Sequence, residues 1–109
     1  MAALEMKGSL HAGAECARLE KEVDGMISAR ETRVIFDMAG VTHIDSAAIG
    51  TIVRCFTKLK KAGGKLRIAT AQPMIIYSLK MTKLDTLIEM FPSVDQAAEG
   101  FAGPDASAG

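Results

Sequence analysis

Apolar residues recur every three or four positions between residues 12 and 29. Ala12, Cys16, Leu19, Val23 and Met26/Ile27 share one side, and Glu15, Arg18, Glu20, Lys21 and Glu22 fall mostly on the other. That spacing predicts an amphipathic helix, which Gly25 weakens without ending. Ahead of it, Leu4 and Met6 alternate with Glu5 and Lys7, a weakly strand-like run that Gly8 is expected to stop. After it, Val34, Ile35, Phe36 and Met38 form a nearly continuous apolar run, as in a strand covered on both faces. The segment "SAAIGTIVRCFTKLKKAGG" then carries Ile49, Ile52, Val53, Phe56 and Leu59 on one stripe, with Arg54, Lys58 and Lys61 expected to point away. Lysines in the last turn and Gly63-Gly64 after it read as a helix C-terminus.

The alternation continues. "KLRIATA" predicts a strand, and Gln72-Pro73 opens a helix, because proline suits the first helical position. Around that helix Met74, Tyr77 and Met81 lie on one side, with Ile76, Leu79 and Lys80 round the other. "LIEMF" predicts a short strand, and Ser93 and Gln96 stand at capping-box spacing before a short terminal helix. The order β–α–β–α–β–α–β–α implies an α/β fold with a mixed, largely parallel sheet of four strands, or five, with helices packed on it. Residues 1–101 form one domain, and 102–109 have nothing to bury and are expected to be a disordered tail.

Charge narrows the partners. Thirteen Lys and Arg balance thirteen Asp and Glu, whereas nucleic-acid binding requires a basic surplus. No apolar run is long enough to span a membrane and the N-terminus lacks a signal-peptide core, so a cytoplasmic protein is expected. Cys16 and Cys55 sit inside apolar patterns and read as buried free thiols. Together with His11 and His43 they show no zinc-binding spacing, and no metal or other cofactor is expected.

Ser46 is the best-placed hydroxyl, at a strand-to-helix corner. Its flanks, Ile44 and Ala48, are not the glycines of a hydrolase elbow, and His43 reads as a rim histidine rather than a base. No catalytic residue and no enzyme activity are expected. The glycines of "KKAGGK" follow a helix end rather than opening a helix, which argues against a phosphate loop. The basic cluster Lys58, Lys60, Lys61, Lys65 and Arg67 fits solvated charge at a helix end, with an acidic partner or lipid headgroups as the alternative. Met26, Met38, Met74, Met81 and Met90 read as core filler, with an adaptable binding face as the alternative. Asp45 or Ser46 can cap the helix, and the small Ala47 and Ala48 would let another protein approach the corner. A phosphate on Ser46 would add about −1.5 to −2 charges where helix dipole and free amides tolerate an anion. The fold would survive while the surface changed sign.

These residues resemble the STAS domains of anti-sigma factor antagonists. The marks are "VIFDMAGVTHIDS", "IG" in the following helix, "AGGKLRIA" and the P…L…L spacing after it, within a resemblance over about residues 8–101. The resemblance implies a bacterial, non-enzymatic regulator of transcription that binds an anti-sigma factor doubling as a serine kinase. Phosphorylation of Ser46 would release that partner, and a phosphatase would restore binding. Asp45, Ser46, Ala47, Ala48, Ile49, His11 and His43 would form the partner-binding surface. A STAS subunit of a phospholipid-type ABC transporter and a small-ligand or nucleotide sensor are the alternatives. The chain departs from the family at Ala48, where a glycine is usual, at His11, where an acid is usual, and at Lys83, where a glycine often precedes Leu84. It also shows one strand, not two, before the first helix; the open sheet edge this leaves could be covered by homodimerisation.

Overall fold

The apolar run Val34–Met38 is the centre of the sheet. In the computed structural model, which describes residues 1–10 and 14–101, the strands are β1 (Ala2–Leu10), β2 (Arg33–Ile44), β3 (Lys65–Ala69) and β4 (Glu89–Phe91). The helices are α1 (Ala14–Ser28), α2 (Ser46–Lys61), α3 (Pro73–Met81) and α4 (Val94–Ala98), with a 3-10 turn at Leu84–Thr86. The strands lie in the order β1-β2-β3-β4 and every pair is parallel. The sheet expected to be mixed and largely parallel is thus parallel throughout, with no fifth strand among the described residues. Residues 11–13 and 102–109, which include His11, the first positions of the expected helix and the expected tail, lie outside the described residues.

Sequential strand order combined with crossovers of one hand sends α1, α2 and α3 to the same face. Val34, Phe36, Met38, Leu66 and Ile68 pack there with Leu19, Val23, Ile52, Leu59, Ile75 and Leu79. The opposite face is thinner: Ile35 and Ala69 pack under Ala97 and Phe101. A five-residue helix cannot cover that face by apolar contact alone, and two arginines complete it. The Arg67 guanidinium lies 4.3 Å from the Phe101 ring centroid and 5.1 Å from that of Phe91. Its Nη1 donates to the carbonyls of Ala97 and Glu99 at 2.8 and 3.1 Å, and Arg33 Nη1 donates to the carbonyl of Phe101 at 3.1 Å. Arg67 is therefore a clamp on α4 and not a member of a solvated basic cluster.

Arg54 and Lys58, expected to point away, reach across to α1. Lys58 Nζ donates to Glu20 and Asp24 at 2.8 and 3.0 Å, and Arg54 Nε donates to Glu20 at 3.2 Å. The Lys58 hydrogen bond, opposed by partial desolvation, holds the Glu20 carboxyl below its usual range, and the same bond raises Lys58. The buried stripe of α2 is correspondingly rotated: Ala48, Thr51, Ile52, Cys55 and Leu59 are buried, while Ile49, Val53 and Phe56 are half-buried. Both cysteines are buried and outside any disulfide, as anticipated. Burial first, and the Glu20 charge second, push the Cys55 thiol up to about 12. Since the thiolate is the reactive species, iodoacetamide at neutral pH is expected to label Cys55 at least about 100-fold more slowly in the native protein than in urea. Mass spectrometry of a labelling time course checks this, and comparable rates would show that the helix pair opens readily.

Gly8 does not stop β1. It takes φ +74° and the strand runs on to Leu10, at a point where β2 carries an extra residue between the partners of Gly8 and Ser9. A second extra residue of β2 lies between the partners of Glu5 and Lys7. Such bulges bend and re-aim the strand that carries them.

Candidate functional site

β3 ends its pairing with β2 at Asp37, whereas β2 continues to Ile44 paired with β1 alone. The corner bearing Ser46 therefore stands at the tip of a two-stranded ribbon that projects past the rest of the sheet. The buried side chain of Val41 ties this ribbon to the core. At the point of divergence Asp37 Oδ1 accepts from Thr70 Oγ1 and from the Ala39 amide at 3.0 and 3.1 Å. Gln72 Nε2 donates to the carbonyl of Ala39 at 3.0 Å. These bonds staple the middle of β2, where the ribbon leaves the sheet, to the end of β3 from which α3 starts.

At the tip the two capping candidates separate. Asp45 is the N-cap: its backbone is extended at φ −107°, ψ 178°, and its Oδ1 accepts the Ala48 amide at 2.8 Å. Its carbonyl accepts the Ile49 amide at 3.0 Å, the first hydrogen bond of the helix. Ser46 is the first helical residue and is exposed, as is Ala47. With Asp45 as the cap, the Ser46 hydroxyl has no structural duty in the helix start. The amides at this end point outward, as at any helix N-terminus.

The other residues assigned to this surface divide. Ala48 is 2% exposed and packs into the core, so it supplies no contact surface. Its methyl group faces inward. Ile49 is half-buried against the core. His43 is exposed near the end of β2, with its Nδ1 3.1 Å from Thr42 Oγ1 and 3.4 Å from Ser9 Oγ. It is held toward the β1 side of the ribbon, and no hydrogen bond joins it to Ser46. His11 lies outside the described residues.

Helix α3 starts at the same end of the sheet, one strand over. It buries Ile75 and Leu79, and leaves Met74 74%, Tyr77 65% and Met81 66% exposed. Met74 and Met81 are therefore surface residues, a correction to their reading as core filler, whereas Met38 is buried in the core. Leu87, after the 3-10 turn, is 53% exposed. Four large apolar side chains thus face solvent within fourteen residues, three of them at helical spacing along one side of α3. The helix is apolar on both sides, and that was the sequence signal for a second, outward stripe. Lys83 adopts the left-handed conformation at φ 62°. A lysine thus occupies a backbone position that favours glycine.

Among the described residues no group of three or more His, Cys, Asp or Glu gathers to hold a metal ion. No helix of the described residues is long and apolar enough to cross a membrane.

Comparison with solved structures places this architecture among known ones. A Thermotoga maritima protein crystallised as a proposed anti-sigma factor antagonist superposes with a TM-score of 0.83 at 20% identity, over 91% of this chain and 85% of that one. The STAS domain of a SulP transporter from Vibrio cholerae gives 0.75 at 21% identity, over 88% and 76%. The Bacillus cell-fate determinant SpoIIAA in its phosphorylated form gives 0.69 at 14% identity, over 89% and 86%. At these identities the likeness is one of fold. The STAS domain model matches residues 4–97, from the first residues of β1 into α4. By that match, across the parallel sheet, the ribbon and the capped corner alike, the chain belongs to the STAS domain family.

Proposed function

We propose that this protein is a cytoplasmic, non-enzymatic binding module, an anti-sigma factor antagonist whose partner is an anti-sigma factor with serine-kinase activity. Binding is switched off by phosphorylation of Ser46 and restored by a phosphatase. The observation that carries this reading is the division of labour at the corner. Asp45 caps α2, so Ser46 is exposed and can be modified without undoing the helix start. Transfer of the γ-phosphoryl of ATP to Ser46 Oγ places a dianion over the first-turn amides of α2. It also places it beside the Asp45 carboxylate, so that corner becomes strongly negative. A protein surface packed against Ser46 and Ala47 meets both bulk and uncompensated charge. The apolar stripe Met74–Tyr77–Met81, on the helix that starts from the neighbouring strand end, supports binding of a protein, since Met and Tyr supply adaptable, high-contact area.

The test is incubation with histidine-kinase-like ATPases of the source organism and ATP, followed by mass spectrometry. Phosphate is expected on Ser46 and absent from Ser46→Ala. Phosphate elsewhere, with Ser46→Ala modified equally, would sink the switch at this residue. A STAS subunit serving a transporter would remain unmodified and would be recovered with an ATPase and a permease.

A further inference from the structure

Strand β1 pairs with β2 on one side only; among the described residues nothing pairs with its other side. Every second residue of such a strand directs both its N–H and its C=O outward, a template for another strand. Proteins commonly blunt an edge of this kind with a bulge, yet both extra residues of this ladder lie on β2 and none lies on β1. Glu5 and Lys7 are exposed together on one face of β1, and Leu4 and Met6 turn toward the core on the other. Beside the edge runs an open cleft lined by Leu4, Met6 and Leu19, and bordered on α1 by Glu15, Arg18 and Glu22.

We propose that a second copy of this chain adds to the sheet along β1, antiparallel and centred on Met6. In an antiparallel pair, directly opposed side chains share a face. A two-fold axis at Met6 therefore sets Glu5 against Lys7 of the other copy, and Lys7 against its Glu5, on the open face. On the core face Met6 meets its own equivalent. Leu4 meets Gly8, which has no side chain to obstruct it. Displacing the axis to Glu5 would oppose two glutamates, so charge selects the register centred on Met6. The same axis lays the two α1 helices side by side and antiparallel above the joined sheet. There the sequence of charges Glu15, Arg18, Glu22 lets each arginine face a glutamate of the other copy. With thirteen residues of either sign the chain has no net charge to hold copies apart. This assembly is independent of the Ser46 switch, which stands at the far tip of the β1-β2 ribbon on α2.

Sedimentation velocity across a concentration series tests it. A monomer–dimer equilibrium is expected, weakened about tenfold or more by Lys7→Glu, because two attractive cross-strand pairs become repulsive. The double variant Glu5→Lys/Lys7→Glu is expected to restore it, since the pairs are re-formed with their signs exchanged. Both residues are exposed, so the variants should retain the far-ultraviolet circular dichroism of the parent. A monomer at every concentration overturns the proposal. So does a dimer indifferent to Lys7→Glu, or one abolished instead by Met74→Ser/Tyr77→Ser, which would place the contact on α3.

Discussion

Ser46→Asp is expected to bind the proposed partner, an anti-sigma factor, about 30-fold to several thousand-fold more weakly than the parent, while Ser46→Ala binds nearly as well. The range corresponds to about 2–5 kcal/mol, the usual penalty for leaving a charge buried and unpaired in an interface. Stability should move little. Ser46 is the first residue of α2, where an added carboxylate gains about 0.3–1 kcal/mol from the helix dipole, and repulsion from the Asp45 cap offsets a comparable amount. Isothermal titration calorimetry on both variants, with thermal unfolding alongside, separates the two effects. Equal affinities for Ser46→Asp and the parent would remove the charge-exclusion mechanism. Loss of folding in Ser46→Ala would show that the hydroxyl has a structural duty that the Asp45 cap does not cover.

Gly64→Ala is expected to cost about 3 kcal/mol or more, at or beyond the upper end for overpacking. A Cβ at Gly64 would overlap the carbonyl oxygen, carbonyl carbon and Cβ of Thr32. Two of these are backbone atoms, so no rotamer change relieves the clash. Nor can the chain slide: the Gly64 amide donates to the Leu59 carbonyl at 2.8 Å, and the Lys65 amide donates to Thr32 at 2.8 Å. The strain would fall where β3 enters the sheet beside β2. Gly25→Ala is the matching control. Its Cβ would meet nothing within 4 Å in the last turn of α1, and the change should stabilise by up to about 0.5–1 kcal/mol through helix propensity. Urea denaturation of the two variants gives the comparison directly. A Gly64→Ala protein as stable as the parent would mean that the Thr32 turn is pliant.

Gly63-Gly64 illustrates how far local pattern reaches. Read along the chain, the pair is a helix stop, and Gly63 meets that role at φ +82° after the Ala62 C-cap. Gly64 is needed for a different reason, the close approach of a loop thirty-two residues earlier, and nothing near it in sequence announces that. The caps were legible because they are local: Ser93 accepts the Gln96 amide at 3.1 Å, Pro73 stands at the first turn of α3, and Asp45 precedes α2. Helix α3 marks the limit. Both Ile75/Leu79 and Met74/Tyr77/Met81 have helical spacing and comparable apolarity, so periodicity alone does not choose between them. The crossover from β3 to β4 fixes which side meets the sheet.

The same division runs through the candidate site. Alternating β-prone and helical segments, a capping carboxylate and a serine after it are short-range features, and the sequence by itself determined the α/β order and the strand-to-helix corner at Asp45-Ser46. Tertiary structure alone decided that Ala48 turns inward, that Arg67 is sandwiched by Phe91 and Phe101, and that Arg54 and Lys58 serve α1 rather than solvent. It also decided that β2 outruns β3 and carries Ser46 out on a ribbon. Each of these depends on which segment lies alongside which, and strand register and helix facing are set by packing between residues tens of positions apart.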